Sequence, residues 1–240
     1  EVSNGSFSQE GAELVVNGDF ATDSDWVLSG QNLSISNGKG VSTGSNFGAQ
    51  FKQTILTVNK SYKLTFDIVD FTSGSIGLTS SYYGAEQTFN SVGTHTAIFT
   101  SLSQTEFRLY SLNFIGSIDN VSVKEVGQDW TLGTGWSIGD DKAVATNSLD
   151  GERLRQNNVF TAGKTYKVTY EITEITQGSF RGYVGGTNLT TRSAVGVYTE
   201  IILAPLNDVF YIRTIQTTSG SISNISVKEV GQDWTLGGTA

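Results

Sequence analysis

SVKEVGQDWTLG occupies Ser122 to Gly133 and returns unchanged at Ser226 to Gly237, 104 residues later. Twelve identical residues in succession mark an internal repeat, and a period of this length is that of a whole domain. The register extends outward from this anchor. Asp25-Trp26 falls 104 residues before Asp129-Trp130, and Tyr62-Lys63-Leu64-Thr65-Phe66 stands in the same relation to Tyr166-Lys167-Val168-Thr169-Tyr170. Ser117-Ile118-Asp119-Asn120 maps onto Ser221-Ile222-Ser223-Asn224. One-residue slips, as at Leu33 against Trp136 and Phe107 against Phe210, put the length changes in turns. Two units follow, 14–126 and 127–230. Residues 1–13 read as the end of a preceding repeat and a linker, because Glu1-Val2 matches the end of SVKEV. Residues 231–240 read as the start of a truncated third copy.

Within each unit the apolar residues recur at every second position. Tyr62, Leu64, Phe66 and Ile68 alternate with polar neighbours, as do Tyr166, Val168, Tyr170 and Ile172. This is the period of half-buried strands. Asn37-Gly38, Ser73-Gly74, Gly139-Asp140 and Gln177-Gly178 supply turns between them. The pattern predicts an all-β chain of two tandem jelly-roll β-sandwich domains, each with eight or nine strands, and a partial third repeat. With 37% hydrophobic and 11% aromatic residues, each half can bury a core.

Composition also excludes. Without Cys there is no disulfide or thiolate metal site. A net charge of −8 with no basic stripe opposes nucleic-acid binding. No apolar run approaches the roughly 20 residues needed to span a bilayer, so membrane insertion is not expected. The chain starts at Glu1 and lacks Met, as a piece of a longer or processed chain would. His95 is the one His, with no Cys or evident acidic partner in its segment, and forms no triad or zinc set. Asp140-Asp141, Glu171 and Glu174 are the carboxylates that a glycosidase pair could use. Asp140-Asp141 stands in a turn, and Glu171 and Glu174 correspond to Asp67 and Asp70 on the polar side of a strand. No enzyme is expected.

Trp26, Trp130 and Trp234 hold one place in three copies, each with Leu two residues on. A sugar platform would use exposed indoles, but the identical surroundings predict buried anchors. Trp234 and Leu236 would then need cover, from a third sandwich or from a neighbouring subunit by strand addition. Tyr82 and Tyr83 differ between the copies, because the matching positions hold Gly186 and Thr187. Adjacent strand residues face opposite ways, so one Tyr is expected outside. Tyr82, Tyr83, Gln87 and Asn90 are the candidate contact surface of the first unit. Tyr183, Asn188, Arg192 and Tyr198 are that of the second, and an ordinary Tyr-rich loop is the alternative for both.

LVVNGDFATDSDW (Leu14 to Trp26), KSYKLTFDI (Lys60 to Ile68) and SIDNVSVKEV (Ser117 to Val126) resemble the jelly-roll carbohydrate-binding modules. They look most like the tandem versions in bacteriophage tail-fibre and head-fibre proteins. The resemblance implies a possible structural calcium, with Asp119 matching the closing-strand ligand. Ala21 stands where the family has an acidic residue, so Asp19 or Asp23 would have to substitute. In the second unit Ser223 replaces the closing Asp, and no NGDF turn precedes Asp129. The resemblance further implies a structural or adhesive segment of an extracellular or virion-surface fibre, with further copies of itself and surface glycans as partners. The alternative is a carbohydrate-binding module attached to a glycan-active enzyme.

Overall fold

The computed structural model describes residues 1–44, 48–83, 86–207 and 209–231. The chain divides into two compact bodies. One comprises Glu10–Val126. The other joins Glu1–Gln9 to the described residues from Gly127 onward. Both are β-sandwiches of jelly-roll type.

The first body contains β1 (Glu10–Glu13), β2 (Val27–Ser29), β3 (Leu33–Ile35), β4 (Gly40–Thr43), β5 (Ala49–Thr54) and β6 (Ser61–Leu78). A one-turn helix, α1 (Ser80–Tyr83), leads to β7 (Gln87–Phe89), β8 (Gly93–Thr100) and β9 (Glu106–Val126). The long strands β6 and β9 pair antiparallel from Ser61–Val126 to Gly77–Tyr110 and carry the architecture. Along its length β9 also pairs with β5, β4 and β1, while β6 pairs with β8 and β7. Alternate residues of these strands face one core, where Phe20, Trp26, Phe51, Tyr62, Leu64, Phe66 and Phe107 are buried together.

So long a pair must bend to serve both layers, and it does so at bulges. Between Thr65–Ser122 and Asp67–Asp119 the register slips. Asn120 takes up the slack with φ 52°, a left-handed conformation that Asn tolerates. Its amide donates to Asp67 at 2.8 Å.

The second body repeats the plan with β10 (Thr131–Leu132), β11 (Trp136–Gly139), β12 (Lys142–Ser148), β13 (Arg153–Gln156), β14 (Lys164–Val184), β15 (Thr187–Asn188), β16 (Gly196–Ala204) and β17 (Phe210–Glu229). Here β14 and β17 are the long pair, and Asn224 (φ 53°) is the bulge residue, its amide donating to Glu171 at 2.7 Å. Trp130, Trp136, Leu154, Phe160, Tyr166, Val168, Tyr170, Phe180 and Phe210 are buried. Trp26 and Trp130 are thus core in both copies. Trp234 and the truncated third repeat lie outside the described residues.

The first nine residues depart from the sequence expectation, which left them outside both sandwiches. Asn4-Gly5-Ser6-Phe7 does in the second body what Asn17-Gly18-Asp19-Phe20 does in the first. Phe7 N–H donates to Asn4 O and Phe20 N–H to Asn17 O, each at 3.1 Å. The indole N–H of Trp130 donates to Asn4 O at 3.0 Å, and that of Trp26 to Asn17 O at 2.8 Å. Phe7 lies 5.2 Å from the Trp130 ring, and Phe20 lies 5.0 Å from Trp26. Gln156 binds the Ser3 backbone through both amide atoms, at 3.0 and 2.6 Å, as Gln53 binds that of Val16. The turn missing before Asp129 is therefore present, supplied from the other side of a whole inserted domain.

Candidate functional site

In the second body a face forms at the outer surface of β13, β17 and β14. Arg153 pairs with Arg213, and Arg213 with Arg181, so three guanidinium groups stand in one row across three strands. Two residues along, Arg155 pairs with Tyr211 and Tyr211 with Tyr183, which pairs with Asn188 on β15. Register partners share a face, so these side chains lie together, opposite Leu154 and Ile212 in the core. The rings of Tyr183 and Tyr211 stack at 4.4 Å and 6°, and the Arg153 guanidinium covers Tyr211 at 4.5 Å. Arg153 and Arg155 are exposed, whereas Arg181, Tyr183 and Arg213 are half-buried. Among the described residues none of these four arginines stands in an ion pair.

The corresponding face of the first body uses β5, β9 and α1. Tyr82 and Tyr110 stack at 6.2 Å and 14°, with the Arg108 guanidinium 4.6 Å from the Tyr82 ring. Burial raises the pKa of the Tyr110 phenol, a shift that the hydrogen bond with Arg108 opposes. Here the cations are matched: Glu106 takes both Arg108 and Lys52, the latter at 3.7 Å.

The sequence-derived candidates are distributed unevenly. Tyr82 and Tyr183 belong to these two faces, and Asn188 borders the second. Tyr83 does not, because Ser80–Tyr83 is a helical turn and directs its ring inward against Phe99 at 4.8 Å. Its hydroxyl donates to Glu106 O and accepts from Arg108 N–H, and burial holds its pKa well above the usual phenol value. Gln87 is committed to Ile98 O at 2.8 Å, and Asn90 is exposed. Arg192 and Tyr198 meet each other at 4.6 Å, with Arg192 also paired to Glu200 at 3.3 Å. Arg108, Tyr110, Arg153, Arg155, Arg181, Tyr211 and Arg213 escaped the sequence reading. Their signal is alternation: Arg-Leu-Arg, Arg-Gly-Tyr and Tyr-Ile-Arg each set two polar residues on one side of a strand.

Among the described residues Asp19, Asp23 and Asp119 do not form a group of three carboxylates. Asp19 accepts its own turn's Ala21 N–H, Asp119 accepts Asn120 N–H, and Asp23 is exposed. Among the described residues no three His, Asp or Glu side chains form a metal-holding group. Of the carboxylates weighed for catalysis, Glu174 is exposed, and the others, like Asp67 in the first copy, have local duties. Asp67 and Glu171 hold the bulge amides, and Asp140 and Asp141 occupy left-handed turn positions. A groove of about 350 Å³ beside β4 contains Lys39 and Asp70, but these pair with each other at 3.0 Å. Among the described residues no helix is long and apolar enough to cross a membrane.

No protein-family model matches the chain, and no curated protein matches it in sequence. Among solved structures it is similar to the tandem CBM22-1–CBM22-2 domain of Paenibacillus barcinonensis Xyn10C, at 11% identity over 93% of this chain and 99% of that one, with a TM-score of 0.35. The CUB1-EGF-CUB2 domains of rat MASP-1 match at 8% identity over 85% of this chain and 99% of that one, with a TM-score of 0.27. A Paenibacillus xanthan lyase matches at 14% identity over 87% of this chain and 24% of its own length, with a TM-score of 0.25.

Proposed function

We propose that the chain is a pair of non-catalytic, glycan-binding β-sandwiches serving adhesion in an extracellular or virion-surface fibre. The observation that carries the reading is the tyrosine and guanidinium platform present once in each body, on the corresponding face. Aromatic rings offer apolar contact to the C–H faces of sugars, and guanidinium groups offer fixed donors to their hydroxyls. The identical SVKEVGQDWTLG segments support an array of such modules, in which further copies are the natural neighbours. The test is titration of the whole chain with a panel of soluble oligosaccharides, before and after Tyr82→Ala and Tyr183→Ala. Binding that both substitutions weaken at least about tenfold, with the fold intact, supports the reading. Binding indifferent to both removes it. A module attached to a glycan-active enzyme would use the same faces. A catalytic domain in the neighbouring sequence would favour that second context, and further DWTLG copies would favour the fibre.

A further inference from the structure

We infer that the second body is selective for an anionic glycan, a polysaccharide bearing carboxylates, which it holds through the arginine row. This rests on the glycan-binding reading and goes beyond it by separating the two modules. Four of the chain's six arginines lie on this one face, in a chain whose net charge is −8. Like charges in register repel, and whereas Arg108 and Arg192, which share with Arg181 and Arg213 a buried Nε without a partner, each pair with a glutamate, Arg181 and Arg213 stand in no ion pair among the described residues. Stacking on Tyr211 offsets part of this repulsion for Arg153, but no such contact is present for Arg155, Arg181 or Arg213 among the described residues. A bound anion neutralises the charge and takes up the donors, because each guanidinium can receive a carboxylate in bidentate fashion.

The first body acts as an internal control. Matching the two faces by strand register places Gln50 at Arg153, Lys52 at Arg155, Gly77 at Arg181, Arg108 at Tyr211 and Tyr110 at Arg213. Glu106, which pairs with both cations of the first face, corresponds to Val209 in the second. The second face has therefore gained cations and lost the acid that would balance them. No acidic residue occupies its register positions at Thr131, Arg153, Arg155, Arg181, Tyr183, Asn188, Tyr211 or Arg213. Neighbouring strands lie about 4.8 Å apart, so the row sets its charges at intervals comparable to one pyranose residue. A sugar acid in every unit or every second unit of a chain lying across β13, β17 and β14 would meet them in turn. Tyr183 and Tyr211 sit beside the row, where a ring face would rest.

The test uses the whole chain and four probes of matched length: an oligoguluronate, a neutral cello-oligosaccharide, inorganic polyphosphate and a short DNA duplex. The expected result is oligoguluronate binding that weakens with salt and falls at least about tenfold in Arg181→Gln/Arg213→Gln. The exposed single variant Arg155→Gln should fall less, and Arg213→Lys should recover only part of the loss, since lysine lacks the bidentate fork. The Tyr82-dependent binding of the first body should be unchanged. If the neutral probe binds the second body as tightly as the uronate, carboxylate selectivity fails while glycan binding stands. Polyphosphate or DNA bound as tightly as the uronate would also overturn the inference, leaving a general anion site. If no saccharide binds either body, the parent reading falls with it. Should the double variant misfold, Arg155→Gln and the salt dependence decide alone, and a salt-independent uronate affinity unaltered in Arg155→Gln refutes the assignment.

Discussion

A Cβ built on Gly5 would stand 1.8 Å from Ile225 O, and one on Gly18 would stand 2.0 Å from Val121 O. Gly5 O and Gly18 O accept hydrogen bonds from the N–H groups of those same partners, at 2.9 and 2.8 Å. Neither backbone can retreat without losing that bond. Gly5→Ala and Gly18→Ala are each expected to destabilise their own body by about 2 kcal/mol or more, as forced overpacking does, read by urea denaturation. Asp67 makes a second residue-scale prediction. Its pKa is lowered, first by the Thr94 hydroxyl at 2.6 Å and then by the Asn120 amide. A depressed carboxylate stabilises the fold above its unfolded value, and that contribution disappears as pH falls through the folded one. Asp67→Asn should therefore lower stability at neutral pH, make little difference at low pH, and so flatten the acid limb of the stability profile below about pH 4. Because Asp19 and Asp119 each accept a local backbone N–H and Asp23 is exposed, chelation should leave the melting temperature unaltered. A fall on adding EDTA that Asp119→Ser abolishes would restore a calcium site. The arginine row shows why single residues were harder to read than the fold. Spacing places Arg153 and Arg155 on one side of a strand, but only cross-strand register brings Arg213 and Arg181 beside them.

At the scale of elements, the long strands were legible because alternation over many residues has no competing explanation: Tyr62 to Ile68 and Tyr166 to Ile172 are strands with that face buried. The helical turn α1 was not, since four residues cannot display a 3.6 period, and this misdirected Tyr83. β16 raises a separate issue. It pairs with β14 alone, and its outer face carries Val197, Ile201 and Leu203, each more than half exposed. An unpaired strand edge beside apolar side chains is a template for association. Ile201→Lys should reduce concentration-dependent self-association in sedimentation, with stability changed by no more than about 0.5 kcal/mol, as for other surface substitutions. β8, its counterpart, presents Thr94 and Thr96 where β16 has Val197 and Thr199, and its Ile98, matching Ile201, is half-buried.

On the scale of the molecule, the repeat was plain in the sequence, but the assignment of residues 1–9 was not, because the motif that completes the second body is separated by 126 residues from the tryptophan it contacts. Sequence proximity misleads when one domain is inserted into another. Phe7→Ala should destabilise the second body by about 3 to 5 kcal/mol, the cost of emptying an aromatic site, and leave the first untouched. The two transitions would separate in urea, with Trp130 fluorescence reporting the earlier. The same threading governs how the chain bears load. Tension applied at residues 1 and 231 runs through the second body alone, across the clamp of Gln156 on Ser3 and the bond from Ile225 N–H to Gly5 O. Residues 10–126 hang outside that path like a closed loop on a taut cord, and no force reaches them while the clamp holds. Rupture of this small patch would put the intact first sandwich into line, lengthening the tether in one abrupt step before any domain unravels.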